Sequence, residues 1–301
     1  MRKNSVIGLM LMFVGVMAML TMSWSCTEAK TGATPSSVRH APPSVYERVA
    51  ASKVLRAAYI SYPPAVMRDA QTGTLSGTFV ETIEQAAKNL GWTVKWTEEV
   101  GWGAQVEGLQ TDRYDIVGSP VWANPTRARL TTLSRPVYYS GIGIYVRKGD
   151  RRFAGRTTAI NSGSVRIATI DGETADLIAR TQFPAAQRVS LPQLSDISEM
   201  FLQVTTGKAD VAFAEPYFGT AFLAANPGSV TNIADTAPIK TLGNCYMMKA
   251  GEPQLKQALD VAIEDLQNSG FIDRLLDKYE PSPNTFYRVA QPYRIVQTGT
   301  R

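Results

Sequence analysis

From Val54 onward the chain alternates two hydrophobic rhythms. Val54 to Ile60 is a short apolar run, stopped by Ser61-Tyr62-Pro63-Pro64, and reads as a strand. Phe79, Val80, Ile83, Ala86, Ala87 and Leu90 then recur at helical spacing, with Gly91 as the stop. Thr93 to Trp96 predicts the next strand, Val106 to Leu109 a short helix and Tyr114 to Val117 a further strand. Strand, helix, strand, helix, strand is the order of an α/β lobe with parallel strands. A second run of the same kind follows. Val165 to Ile170 is a strand, and Asp171-Gly172-Glu173-Thr174 leads into a helix through Leu177 and Ile178. Ile197, Met200, Phe201 and Val204 form a helical stripe ending at Gly207, before a strand Ala209 to Phe213. Leu255 to Leu266 and Phe271 to Leu276 predict two closing amphipathic helices. Residues 281–301 read as a tail, with Phe286, Tyr287 and Tyr293 as groups that could dock it.

In parallel α/β sheets ligands sit beyond the carboxyl ends of the strands. Tyr62, Trp102 and Ser119 follow strands or lie in such loops, so they could share one edge. The stretch Asp115 to Tyr139 is the candidate edge. It begins as a strand at Ile116-Val117 and turns through Gly118, Ser119 and Pro120. It then presents Arg127 at the end of an Asn124-Pro125-Thr126-Arg127 turn. A guanidinium can hold a carboxylate with two parallel charge-assisted bonds. A small molecule's carboxylate is therefore the expected guest. The second lobe delivers a carboxylate of its own, Glu215, just past its apolar strand, where a buried acid needs a partner.

The first residues change the compartment. Arg2 and Lys3 precede an uncharged apolar stretch from Val6 to Met22, followed by Ser23-Trp24-Ser25-Cys26. Residues 1–26 read as an export signal, with a retained anchor helix as the alternative. Cys26 suits lipidation of a bacterial lipoprotein, although Trp24 and Ser23 depart from that pattern; plain secretion is the other reading. Either way the body lies outside the cytoplasm, periplasmic or attached to the cell envelope. Residues 27–44 are small, polar and proline-bearing, and read as a flexible tether containing the single histidine, His40.

Composition then excludes several classes. The 301 residues are 44% hydrophobic and 19% charged, enough for two lobes. The net charge of +5 includes Arg2 and Lys3, and basic residues are scattered, so nucleic acid is not an expected partner. Two cysteines and one histidine leave no disulfide scaffold, metal site or histidine triad to expect. No cofactor is called for.

The order of motifs resembles family 3 extracellular solute-binding proteins of amino-acid ABC importers over roughly residues 52–280. The resemblance is carried by Tyr62-Pro63-Pro64, Gly73-Thr74-Leu75-Ser76-Gly77, Leu109 through Tyr114-Asp115-Ile116-Val117, and Asn124-Pro125-Thr126-Arg127. Leu133 to Tyr138, Gly172-Glu173-Thr174, Gly207 to Ala212 and Leu255 to Tyr279 continue it. It implies an α/β, two-lobed periplasmic-binding-protein (Venus-flytrap) fold, in which each lobe is a mixed, mainly parallel sheet flanked by helices. Lobe 1 would be 45–141 plus 239–285 and lobe 2 142–238, with 286–301 as tail. A two-strand hinge would cross near Ser140–Tyr145 and Pro238–Asn244, and such hinges close around ligands.

The same resemblance implies the site. Arg127 would take a ligand α-carboxylate with Ser119 and Thr174, and Glu215 would take its α-ammonium. Tyr62 and Trp102 would sandwich the side chain. Trp122 and Pro120 depart from the family's small hydroxyl residues, and Tyr62, Trp102 and Trp122 could form an apolar or cation-accepting box. Asn124 could keep the turn's side-chain bond. Asp115 and Asp210 are expected in structural roles, and Cys245 as a buried unpaired thiol. The implied protein is a monomer that binds an amino acid or analogue and passes it to an ABC permease, without catalysis. Two rivals remain. A cyclohexadienyl dehydratase-like enzyme could use Glu173 and Glu215 as acids. A ligand-sensing subunit would need a partner chain to signal.

Overall fold

The computed structural model describes residues 42–281, 283 and 285–290. The expected signal segment, Cys26, His40, most of the expected tether and Tyr293 lie outside them. Helix α1 (Val45–Ser52) opens the described chain, and Ser44 with Glu47 forms a capping box that satisfies its first N–H groups. The first lobe then builds β1 (Val54–Tyr59), the small hairpin β2 (Met67–Arg68) and β3 (Leu75–Ser76), and α2 (Thr78–Asn89). Next come β4 (Thr93–Glu99), α3 (Gln105–Gln110) and β5 (Ile116–Trp122). Both β4 and β5 pair parallel with β1. The second lobe repeats the scheme. Its elements are β8 (Arg166–Ile170), α5 (Thr174–Gln182), β9 (Gln187–Leu191), α6 (Ile197–Thr205) and β10 (Val211–Ala214). There β9 and β10 flank β8, again in parallel.

Two long strands join the lobes. The first, β7 (Tyr138–Arg147), follows α4 (Pro125–Ala128) and β6 (Thr131–Leu133). The return strand β12 (Lys240–Lys249) follows α7 (Pro216–Ala225) and β11 (Val230–Asn232). Residues Tyr138 to Ile142 of β7 pair antiparallel with Lys240 to Asn244 of β12. Beyond that, β7 runs on beside β10 and β11, and β12 runs on beside β5 and β6. The strand order β4-β1-β5-β12-β7-β10-β8-β9 therefore passes from one lobe to the other through these two strands. Helices α8 (Pro253–Asn268) and α9 (Phe271–Tyr279) pack back on the first lobe.

Both lobes tie their central strands with the same device. Asp115, just before β5, accepts the Arg56 backbone N–H of β1 at 2.9 Å and is ion-paired to Arg48 and Arg56. Asp210, just before β10, accepts the Arg166 backbone N–H of β8 at 2.9 Å and is paired to Arg152 and Arg166. Each aspartate ends a crossover and locks the next strand to its parallel neighbour.

One expected turn does not form. Strand β5 does not turn at Gly118 but continues to Trp122, with all seven residues buried. A strand buried on both faces shows no alternation to read. Pro120 lies within it, and its missing N–H is accommodated by a register shift. Val117 faces Met247 and Val121 faces Cys245, so four steps on β5 oppose two on β12. Gly118 also has a packing role, since a Cβ there would lie 2.4 Å from the Trp96 ring.

The start of the tail docks through two of the aromatic residues expected to hold it. Phe286 is buried between Tyr138 and Tyr217, with ring centroids at 5.0 and 6.3 Å. Tyr287 exchanges backbone bonds with Tyr139 of β7 at 2.7 and 2.8 Å. Among the described residues no helix is long and apolar enough to cross a membrane.

Candidate functional site

Strand β10 ends at Ala214, and the next residue is the N-cap of α7, where Pro216 occupies the first turn. A carboxylate at that position can serve as a cap, but Glu215 makes no side-chain bond to its own helix. Its Oε1 instead accepts the Trp122 indole N–H at 3.0 Å and the Ser140 hydroxyl at 2.7 Å. The Tyr62 hydroxyl is a further hydrogen-bonding neighbour of the carboxyl. Burial pushes the Glu215 carboxyl up to about 7, and the Glu173 charge adds to this, while the Ser140, Trp122 and Tyr62 donors pull the other way.

The cation arrives by a different route. Past Trp122, Asn124 caps the four-residue α4 by accepting the Arg127 N–H at 3.0 Å, so the turn keeps its side-chain bond. This turn aims Arg127 across the cleft. Its Nη1 donates to the Trp122 carbonyl at 3.1 Å and to Thr174 Oγ1, in the other lobe, at 3.2 Å. Burial lowers the pKa of the guanidinium, and Glu173 opposes the shift. Thr174 begins α5, and Glu173 caps that helix by accepting the Ala175 N–H at 2.5 Å. Burial raises the Glu173 carboxyl; its backbone bonds and Arg127 counteract.

Arg127 and Glu215 thus approach from different lobes and meet at one residue. Trp122 offers its carbonyl to the arginine and its indole N–H to the glutamate. The aromatic groups divide around this axis. Tyr62 packs edge-on to Trp102, with centroids 5.5 Å apart at 84°. Phe218 of α7 also packs edge-on to Tyr62, with centroids 4.7 Å apart. The Tyr62–Trp102 contact is T-shaped rather than a pair of parallel plates, and Trp122 is tied by hydrogen bonds rather than by ring contact. Ser119 is buried, and its hydroxyl accepts the Ile60 N–H at 2.7 Å and donates to the Ile60 carbonyl at 2.8 Å, stitching the end of β1 to β5. The lobes also touch at their loops, where Gln193 Oε1 accepts the Gly103 N–H at 3.0 Å. A Cβ on Gly103 would meet that amide at 3.0 Å, and one on Gly172 would lie 2.6 Å from the Gly103 nitrogen. A groove of ≈ 380 Å³ borders Phe218, between Pro63 and the α6 and α7 surfaces.

Ser140, Asn244, Phe218 and Gln193 escaped sequence reasoning. Asn244, an amide inside the apolar run Leu242 to Met248, carried the one available signal. Cys245 is buried beside it, its thiol pushed up to about 12 by burial and held only by a weak 3.8 Å contact with the Gly243 carbonyl. Among the described residues no group of three or more His, Cys, Asp or Glu side chains could hold a metal ion.

Residues 55–282 match the model of the bacterial extracellular solute-binding proteins, family 3. The chain belongs to that family. A probable amino-acid ABC transporter-binding protein of Haemophilus influenzae is 24% identical over 216 residues, covering 71% of this chain and 79% of the relative. The L-cystine-binding protein of Escherichia coli is 21% identical over 225 residues, covering 73% and 79%. Among solved structures, an ancestral amino acid-binding protein, a precursor of cyclohexadienyl dehydratase, superposes with a TM-score of 0.66 at 22% identity. That likeness covers 79% of this chain and 99% of the ancestral protein. For a family 3 solute-binding protein, the Arg127–Trp122–Glu215 axis lies where the two lobes face each other.

Proposed function

We propose that this protein captures a small amino-acid-like zwitterion between its lobes and delivers it, without turnover, to an ABC permease outside the cytoplasm. The observation that carries this is the convergence of Arg127 and Glu215 on Trp122 from opposite lobes. Arg127 with Thr174 offers donors to a carboxylate, and Glu215 offers an acceptor to an ammonium. Tyr62, Trp102 and Phe218 supply the apolar wall. Trp122 adds indole bulk to this wall, and a cationic side chain would gain about 0.5–2 kcal/mol per aromatic face. In this reading Ser119 supports the wall through β1 and β5. Lobe 1 comprises 45–141 and 239–285, and lobe 2 142–238. Residues 1–26 act as the export signal, with Cys26 as the lipid attachment point of a monomer tethered by 27–44. Mass spectrometry of the processed N-terminus separates the lipidated form from the secreted one.

The test of binding is a thermal-shift screen of amino acids, L-cystine, polyamines and betaines. An amino acid that binds the native state raises the melting temperature by linkage. Arg127→Ala is expected to remove the shift and leave the ligand-free melt unchanged; a mutant that binds as well as the parent overturns the carboxylate assignment.

One observation supports a second reading. Glu215 is fully buried, and burial pushes its carboxyl up to about 7, which suits it to general-acid chemistry. Turnover of prephenate or arogenate by the purified protein, lost in Glu215→Gln, would replace capture by catalysis.

A further inference from the structure

The two hinge strands contribute polar groups that the capture reading does not use. Ser140 lies on β7 and Asn244 on β12, and both are fully buried. The Ser140 oxygen accepts the Asn244 side-chain N–H at 2.8 Å and the Trp122 indole N–H at 3.2 Å. A hydroxyl has two acceptor sites and one proton. With both acceptor sites taken, the proton points to Glu215 Oε1, 2.7 Å away. The indole also donates to that oxygen, and an indole has nothing but a donor to offer. Oε1 therefore receives two donors and has no place for a proton of its own. The Asn244 Oδ1 atom is buried without a hydrogen-bond partner among the described residues. An orphaned carbonyl is costly, and an aliphatic side chain would avoid it. What the amide contributes here is its N–H on Ser140.

We infer that Ser140 and Asn244 are positioning residues that commit one oxygen of Glu215 to the hinge strands and leave the other for the Tyr62 hydroxyl and the ligand's cation. The inference rests on the reading of Glu215 as the cation partner, and it adds the device that orients the carboxyl. It also ties that orientation to the hinge. Ser140 pairs with Leu242 and Asn244 with Tyr138 across the two crossing strands, while Trp122 belongs to one lobe and Glu215 to the other. The titratable groups facing Glu215 are Tyr62 of the loop after β1, Tyr138 and Tyr145 of β7, and Glu173 before α5. Of these, Glu173 is the acid whose charge opposes ionisation of Glu215. The Ser140 bond favours the ionised form.

The experiment follows the Trp122 indole N–H resonance of the full, ligand-free chain as pH is varied, assigned by its loss in Trp122→Phe. In the parent the resonance is expected to titrate with a midpoint near 7, where burial pushes the Glu215 carboxyl. Ser140→Ala is expected to move that midpoint up by about one pH unit, the worth of one hydrogen bond to a charged group. Asn244→Ala moves it in the same direction by less, because the hydroxyl stays but is free to rotate. Glu215→Gln abolishes the titration. A midpoint that stays in place in both the Ser140 and Asn244 variants overturns the inference. If only one of them folds, its midpoint decides. Calorimetry with L-cystine, L-arginine and L-lysine separates the two layers. Parent-like binding by Glu215→Gln sinks the cation-partner reading and the ligand half of this inference with it. Loss of binding in Glu215→Gln, with unmoved midpoints in the hinge variants, sinks the positioning role alone.

Discussion

The two lobes are built alike and deliver opposite charges. In each, an aspartate at the end of a crossover clamps the central strand through an arginine backbone N–H and two guanidinium groups. Past the clamp they diverge. In the first lobe β5 runs seven buried residues, passes Pro120 through a register shift, and needs a further capped turn before Arg127 appears. In the second lobe β10 is four residues long, and Glu215 follows it directly. The clamp thus serves the scaffold, and the chemistry is set by how far the chain runs beyond it. The clamps also differ in burial. The Asp115 side chain is fully buried and its arginines are 33% and 29% exposed, whereas Asp210 is 8% exposed beside arginines at 52% and 37%.

That contrast can be broken by mutation. Asp115→Ala, which strands two arginines near a buried face, is expected to cost about 3–5 kcal/mol in urea unfolding. Burial pushes the Asp115 carboxyl up, but Arg48 and Arg56 outweigh it and hold it below the usual range. Its stabilisation is therefore full above the unfolded carboxylate range and is lost as pH falls through the lower native value. The variant should show a shallower acid transition than the parent. Glu215→Gln tests the opposite sign. The native state keeps the Glu215 proton up to about 7, so the parent loses stability as pH rises from the unfolded carboxylate range to that value. By linkage the glutamine variant gains on the parent across this window, reaching about 3 kcal/mol above neutrality.

Asp210→Ala should cost less than its counterpart, about 1–2 kcal/mol, because solvent screens the more exposed arginines of the second clamp. Equal costs for the two aspartates would remove the distinction between the lobes. The smallest effect is expected at the loops. Gln193→Ala deletes one hydrogen bond between the lobes, worth about 0.5–1.5 kcal/mol. It should weaken amino-acid affinity several-fold in calorimetry while leaving ligand-free unfolding unchanged, since it stabilises only the arrangement in which the lobes touch.

Much of the scaffold was legible because its signals are local. Helical stripes such as Phe79 to Leu90 and stops such as Gly91 report burial and backbone freedom one turn at a time. Arg127 was legible for a similar reason, since Asn124-Pro125 builds its turn within four residues. The end of β5 was not, because a strand buried on both faces carries no alternation and Pro120 imitates a turn. The docking of the tail was legible in its aromatic residues, Phe286 and Tyr287, but their partners Tyr138, Tyr139 and Tyr217 lie too far away in sequence to leave a local sign.

By itself the sequence determined two α/β units, their order, and the pair of opposite charges that end them, because periodicity and turn chemistry act over a few residues. Only the tertiary structure decided how those charges are used. Glu215 meets Trp122, 93 residues away in sequence, and Ser140 meets Asn244 across 104. Contacts of that span depend on the register of β7 against β12 and on the approach of the two lobes. Neither leaves a mark in the neighbouring residues, so the committed oxygen of Glu215 becomes visible only in the folded chain.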